Sequence, residues 1–146
     1  MLLQPSNTAT AIISPDLSIT TQPNDLNECI GGTSTLDVVV AGGSGTITYQ
    51  WQSSADGSTG WANSAGAGNT TASYTPPSTV AGTTYYRVLI NASNSGCGQI
   101  ESNIVIVEID PDATVSVAPL LSEACIGGTV ILTATVNGGS NTLVVQ

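Results

Sequence analysis

The chain has no histidine and no lysine; Arg87 is its only base against ten acids, and the formal net charge is −9. Each shortage excludes something. A nucleic-acid footprint needs a basic patch, and one arginine cannot draw it. Anionic membrane surfaces are disfavoured partners for the same reason. Without histidine the chain lacks the commonest general base and the commonest metal ligand. Charged residues make up only 8% of the sequence, so Ser, Thr and Asn carry much of the polar surface and the acidity supports solubility.

Long apolar runs are missing too. The uncharged stretch 57–86 is broken throughout by Ser, Thr, Gly and Asn, far from the ~18 consecutive apolar residues of a membrane helix. No basic residue precedes an apolar core at the start, and Pro5 interrupts early. Any export signal is therefore expected upstream, in a longer parent. Extended 3.6-residue periodicity is absent. Short apolar runs punctuated by Gly, Ser, Thr, Asn and Pro predict an all-β protein, because each turn needs residues that tolerate special backbone angles.

What is present is a repeat. Glu28-Cys29-Ile30-Gly31-Gly32-Thr33 returns as Ala124-Cys125-Ile126-Gly127-Gly128-Thr129, 96 residues later. The offset holds without a gap around it: Pro15-Asp16 matches Pro111-Asp112, Leu36 matches Leu132, and Gly42-Gly43-Ser44 matches Gly138-Gly139-Ser140. Such a period is too long for a solenoid turn and is the length of a small autonomous domain. The expected organisation is a tandem array. Residues 1–14 read as the last strand of a preceding repeat, 15–110 as a complete repeat, and 111–146 as the first strands of a following one. Met1 falls at the position of Cys97 and Gln146 at that of Gln50, so neither end is expected to be a domain boundary.

Within 15–110 the alternation predicts about seven strands, the count of a β-sandwich. Residues 34–40 place Leu36, Val38 and Val40 on the core face, with Asp37 outward. Residues 46–52 place Ile47, Tyr49 and Trp51 inward, Trp51 being the central core aromatic. Residues 83–91 point Tyr86, Val88 and Ile90 in, and 100–109 point Val105, Val107 and Ile109 in. Asp56-Gly57 predicts a tight turn, with Trp61 on a short return strand, a loop over 63–69 and a strand over 71–75. Asp110-Pro111-Asp112 is a short, proline-stiffened linker with limited hinge freedom.

Cys29 and Cys97 fall in one repeat, while Cys125 repeats Cys29. The pair is expected to form a disulfide, worth about 4 kcal/mol from the loop-closure entropy it removes; the alternative is two buried thiols. With no CxxC spacing and no histidine, zinc is not expected. Glu108, Asp110 and Asp112 gather at the repeat junction as a candidate Ca²⁺ site, weighed against plain solvated linker charges. Trp61 and Tyr85 are candidate glycan contacts. No nucleophile–base pair and no pair of carboxylates facing one cleft can be drawn, so no enzymatic activity is expected.

The order Cys29-x-Gly31-Gly32-Thr33, Tyr49-Gln50-Trp51-Gln52, Asp56-Gly57, Trp61, Tyr74, Tyr86-Arg87-Val88, Cys97, Ser102-Asn103 resembles the immunoglobulin-like repeats of large bacterial cell-surface adhesins. These are the adhesins of gliding bacteria exported by type IX secretion. The resemblance implies an Ig-like sandwich in a tandem array, an extracellular setting at the bacterial cell surface, and a structural or adhesive role as a disulfide-stapled spacer or binding bead. Its expected partners are neighbouring Ig-like repeats of the same parent or of adjacent subunits, and a surface glycan or protein ligand. No cofactor is implied beyond the candidate Ca²⁺. Two other functions are weighed beside it: a filament subunit built by strand donation between incomplete Ig-like domains, and a carbohydrate-binding module.

Overall fold

The computed structural model describes residues 8–93, 98–119 and 122–139. Every regular element among them is a strand. In chain order these are β1 (Ser18–Thr21), β2 (Leu26–Cys29), β3 (Leu36–Asp37), β4 (Val39–Ala41), β5 (Ile47–Ser54) and β6 (Ala62–Asn63). There follow β7 (Ser73–Tyr74), β8 (Gly82–Ala92), β9 (Ile100–Glu101), β10 (Val105–Asp110), β11 (Thr114–Ala118) and β12 (Thr133–Asn137). The larger sheet runs β2-β10-β8-β5-β6, with β9 also on β8. Opposite it lie the β1–β4 and β3–β7 pairs, joined at Val38, whose N–H donates to the Ala72 carbonyl. The layers enclose one core, as in a β-sandwich.

The period-two pattern explains the core. On β8, Tyr86, Val88 and Ile90 are buried, as are Val105, Val107 and Ile109 on β10. Leu36, Val38 and Tyr74 meet them from the opposite layer. Trp51 sits at 0% exposure, its ring stacked on Tyr74 at 5.5 Å and 23°, while Tyr74 meets Tyr86 at 5.6 Å. The indole N–H donates to the Thr71 carbonyl at 2.9 Å, so its burial leaves no donor unmet. Val40 and Tyr49, expected in the core, are half-buried and pack against it.

The loop over 63–69 belongs to this core. Ser64 N–H donates to the Trp51 carbonyl, and Trp51 N–H donates to the Asn69 carbonyl. The Tyr74 hydroxyl donates to the Ala65 carbonyl at 2.9 Å. Polar backbone that would be orphaned against an apolar ring is thereby paired. Burial, with Tyr74 beside it, pushes the Tyr86 phenol up to about 12.

Several elements differ from the sequence expectation: the strand expected over 34–40 is split at Val38, and Trp61 falls just before its return strand. Strand β2 was not foreseen; it runs parallel to β10, with Leu26 opposite Val107 and Cys29 opposite Asp110. The strand expected over 100–109 is broken at 102–104, because the Ser102 hydroxyl accepts the Val88 N–H at 3.0 Å in place of a ladder carbonyl. Of residues 1–14, expected as a last strand, 1–7 lie outside the described residues and 8–14 have no strand pairing, with Ile12 and Ile13 exposed; the counterpart of 9–14, β10, is held between β2 and β8. The strand expected at 143–145 lies outside the described residues.

The β1–β4 pairing recurs. Ser18 faces Ala41 and Ile19 faces Val40; 96 residues on, Thr114 faces Asn137 and Val115 faces Val136. The turn recurs with it. Gly43 N–H donates to the Pro15 carbonyl and Gly139 N–H to the Pro111 carbonyl, each at 2.8 Å. Gly42 and Gly138 share a left-handed φ of 74° and 76°.

Candidate functional site

Alternation that buries Val88 turns Tyr85, Arg87 and Leu89 to the outer face of the large sheet. There Arg87, the one base, collects three partners, from β5, from β9 and from the residue just before β6. Its Nε and Nη2 donate to Gln52 Oε1 at 3.1 and 3.0 Å, Gln52 being its cross-strand neighbour. Its Nη1 meets Glu101 Oε2 at 3.2 Å, and its Cζ lies 4.4 Å from the Trp61 ring centroid. Glu101 is 57% exposed, so that ion pair contributes under about 1 kcal/mol. The cation–π contact adds roughly 0.5–1 kcal/mol and fixes the indole.

This geometry bears on both candidate glycan contacts. One face of Trp61 is covered by the guanidinium. Tyr85 packs on the turn: a side chain at Gly57 would lie 2.7 Å from Tyr85 Cδ1. What remains is a small polar and aromatic patch whose one cation is already neutralised. Of the two residues that complete it, Gln52 belongs to the Tyr49–Gln52 motif and Glu101 to none; only the register brings them to Arg87.

Beside the patch, Asp56 organises the 54–59 turn. Its carboxylate accepts the Thr59 hydroxyl, the Thr59 N–H at 2.7 Å and the Ser58 N–H at 2.9 Å. These bonds, that of the Thr59 side chain foremost, hold its pKa well below the usual carboxylate range. A depressed folded-state pKa stabilises the fold above the unfolded value and loses that contribution as pH falls. The thermal midpoint of wild type should therefore drop as pH falls below about 4. Asp56→Ala should start lower at neutral pH and drop less over the acid window. Parallel acid slopes in melts followed by circular dichroism would rule this out.

At the junction, Glu108 and Asp110 share the outer face of β10. Glu108 accepts from Asn27 Nδ2 at 3.4 Å, and Asp110 gives its backbone carbonyl to Ile30 N–H at 3.1 Å. Asp112 is exposed. Among the described residues no cluster of three or more His, Cys, Asp or Glu side chains is close enough to hold a metal ion. A shallow cavity of about 280 Å³ lies nearby, lined by Asp25, Leu26, Asn27, Ile106 and Glu108. Asp25 Oδ1 is already occupied by the Ile106 N–H at 2.7 Å.

The expected Cys29–Cys97 disulfide is corrected by the register. Cys97 itself lies outside the described residues; what bears on the bridge is the reach of the chain from Ile100. Cys29 is opposite Asp110, level with the Gly82 end of β8. Ile100, three residues after Cys97, is opposite Ile90. Gly82 and Ile90 are about 26 Å apart along the strand, and three residues of chain reach at most about 11 Å. A disulfide needs Cα atoms within about 7 Å.

Cys29 instead follows a buried acid that the sequence did not flag. Glu28 is 9% exposed, and its Oε2 accepts the Ser34 N–H at 3.1 Å. A side chain at Gly32 would run into that carboxylate, which accounts for glycine there.

No curated protein and no solved structure matches the chain. A family model described as "Domain of unknown function (DUF8696)" matches residues 17–111. That range holds both layers of the core, the Arg87 patch and the Asp56 turn, and on it the chain belongs to the DUF8696 family.

Proposed function

We propose that this chain is a structural and adhesive segment of a bacterial cell-surface protein, in which an Ig-like bead is followed by a further copy of itself. The observation that carries the proposal is the return of the β1–β4 register and its Gly–Gly turn as β11–β12, 96 residues later. The parallel β2 on β10 and a buried Trp51 two strands away suit an Ig-like sandwich. Val88, two residues after Tyr86, stands where antibody domains carry a core cysteine, so apolar packing takes the role of the inter-sheet bond. With the disulfide withdrawn, the extracellular setting rests on the resemblance and the composition. The role is mechanical: a bead of fixed shape that spaces or presents what it is joined to, with no catalytic step.

One observation favours the strand-donation alternative. Leu36 is 1% exposed, yet its counterpart Leu132 is 60% exposed, and Val115 is 62% exposed. An open apolar face and an unpaired segment at 8–13 are the two halves of a donated strand. The glycan-binding alternative has weaker support, since Arg87 covers one face of Trp61. Light scattering over a concentration series separates the readings. A monomer at all concentrations is expected. Ordered polymers that disappear when residues 1–13 are deleted would replace the spacer with a filament subunit.

A further inference from the structure

We infer that the junction after the central body is a one-torsion joint, which fixes how the following hairpin is oriented. Two hydrogen bonds on adjacent carbonyls make it so. The Asp110 carbonyl accepts the Ile30 N–H at 3.1 Å, which anchors it to the central body. The Pro111 carbonyl accepts the Gly139 N–H at 2.8 Å, which anchors it to the β11–β12 hairpin. Between two consecutive peptide planes only φ and ψ of the intervening residue are free. That residue is proline, and its ring locks φ near −65°. The single soft dihedral left between the two bodies is ψ of Pro111.

The downstream half of the joint is built the same way twice. Gly43 N–H takes the Pro15 carbonyl as Gly139 takes that of Pro111. In both, the glycine before the donor has a left-handed φ. A side chain there would strike the next carbonyl: Asp16 at Gly42, and Asp112, 2.7 Å away, at Gly138. The linker is thus held by the body that follows it through backbone groups, for which only glycine leaves room.

The inference deepens the spacer reading and fails separately from it. A hinged junction in a monomeric chain would overturn the joint and leave the spacer; polymerisation would do the reverse. The test is the width of the distance distribution between spin labels in the full chain. Labels go on Thr48→Cys in β5 and Thr135→Cys in β12, with Cys29, Cys97 and Cys125 replaced by serine. The wild-type junction should give one narrow peak. Pro111→Gly should broaden it at least about twofold, since glycine frees φ, and Pro111→Ala should broaden it less. Pro15→Gly, outside the labelled span, should leave it unchanged. A wild-type peak as broad as that of Pro111→Gly overturns the joint, as does a Pro111→Gly peak as narrow as wild type. Equal broadening by Pro15→Gly overturns it too, by showing a general loosening. Circular dichroism of each variant confirms that the sandwich persists.

Discussion

Trp51→Ala should cost about 3–5 kcal/mol, the range for removing a fully buried large aromatic. Three losses act together. The ring is at 0% exposure, it stacks on Tyr74, and its N–H satisfies the Thr71 carbonyl. Small domains are stable by only about 5–15 kcal/mol, so the variant should be mostly unfolded or melt tens of degrees lower. The loop over 63–69 should loosen first, because Trp51 N–H and C=O hold Asn69 and Ser64. Guanidinium titrations followed by far-UV circular dichroism read the difference. A loss under about 1 kcal/mol would mean that the indole is not the centre of the core.

The second large effect is expected at a residue with no side chain. Gly42→Ala must hold φ near +74°, which costs an L-residue roughly 1–2 kcal/mol, and must also displace the Asp16 carbonyl. Gly60→Ala is the matched control: its φ is +63°, with nothing within 4 Å of the added carbon. Gly60→Ala should cost the backbone share alone, while Gly42→Ala should cost more and pull Pro15 from the Gly43 N–H. Equal losses in thermal melts would contradict the close approach.

The parts of the fold legible in the sequence are those with period-two alternation and one buried face. Residues 46–52 and 83–91 spell out which side chains face inward, and Trp51, Leu36, Val38, Tyr86 and Val88 are where alternation puts them. Strand β2 was hidden because Leu26-Asn27-Glu28-Cys29 reads as polar. What buries Glu28 is the Ser34 N–H and the space left by Gly32, neither of which is a periodic signal. Its pairing with β10 spans some eighty residues. The break at 102–104 depends on one hydroxyl reaching one N–H, which composition does not record.

The outer patch failed for a related reason. Arg87, Gln52 and Glu101 lie on separate strands and Trp61 just before a fourth, and only a register brings them together. Trp61 and Tyr85 were legible as aromatics but not as residues already engaged by Arg87 and Gly57. The disulfide shows the same gap between order and place: sharing a repeat says nothing about which end of the sheet a cysteine occupies. The Pro–Asp and Gly–Gly pairs, by contrast, were visible as repeats. The fold adds that they are two sides of one contact.

The most direct test of the account is amide hydrogen exchange across the full chain. A single core centred on Trp51 predicts the slowest exchange in the middle of β5, β8 and β10, with β11 and β12 exchanging orders of magnitude faster. If the hairpin of 114–137 were protected as strongly as those three strands, or if they exchanged as fast as it does, one core over 17–111 followed by an open hairpin would be the wrong description of this molecule.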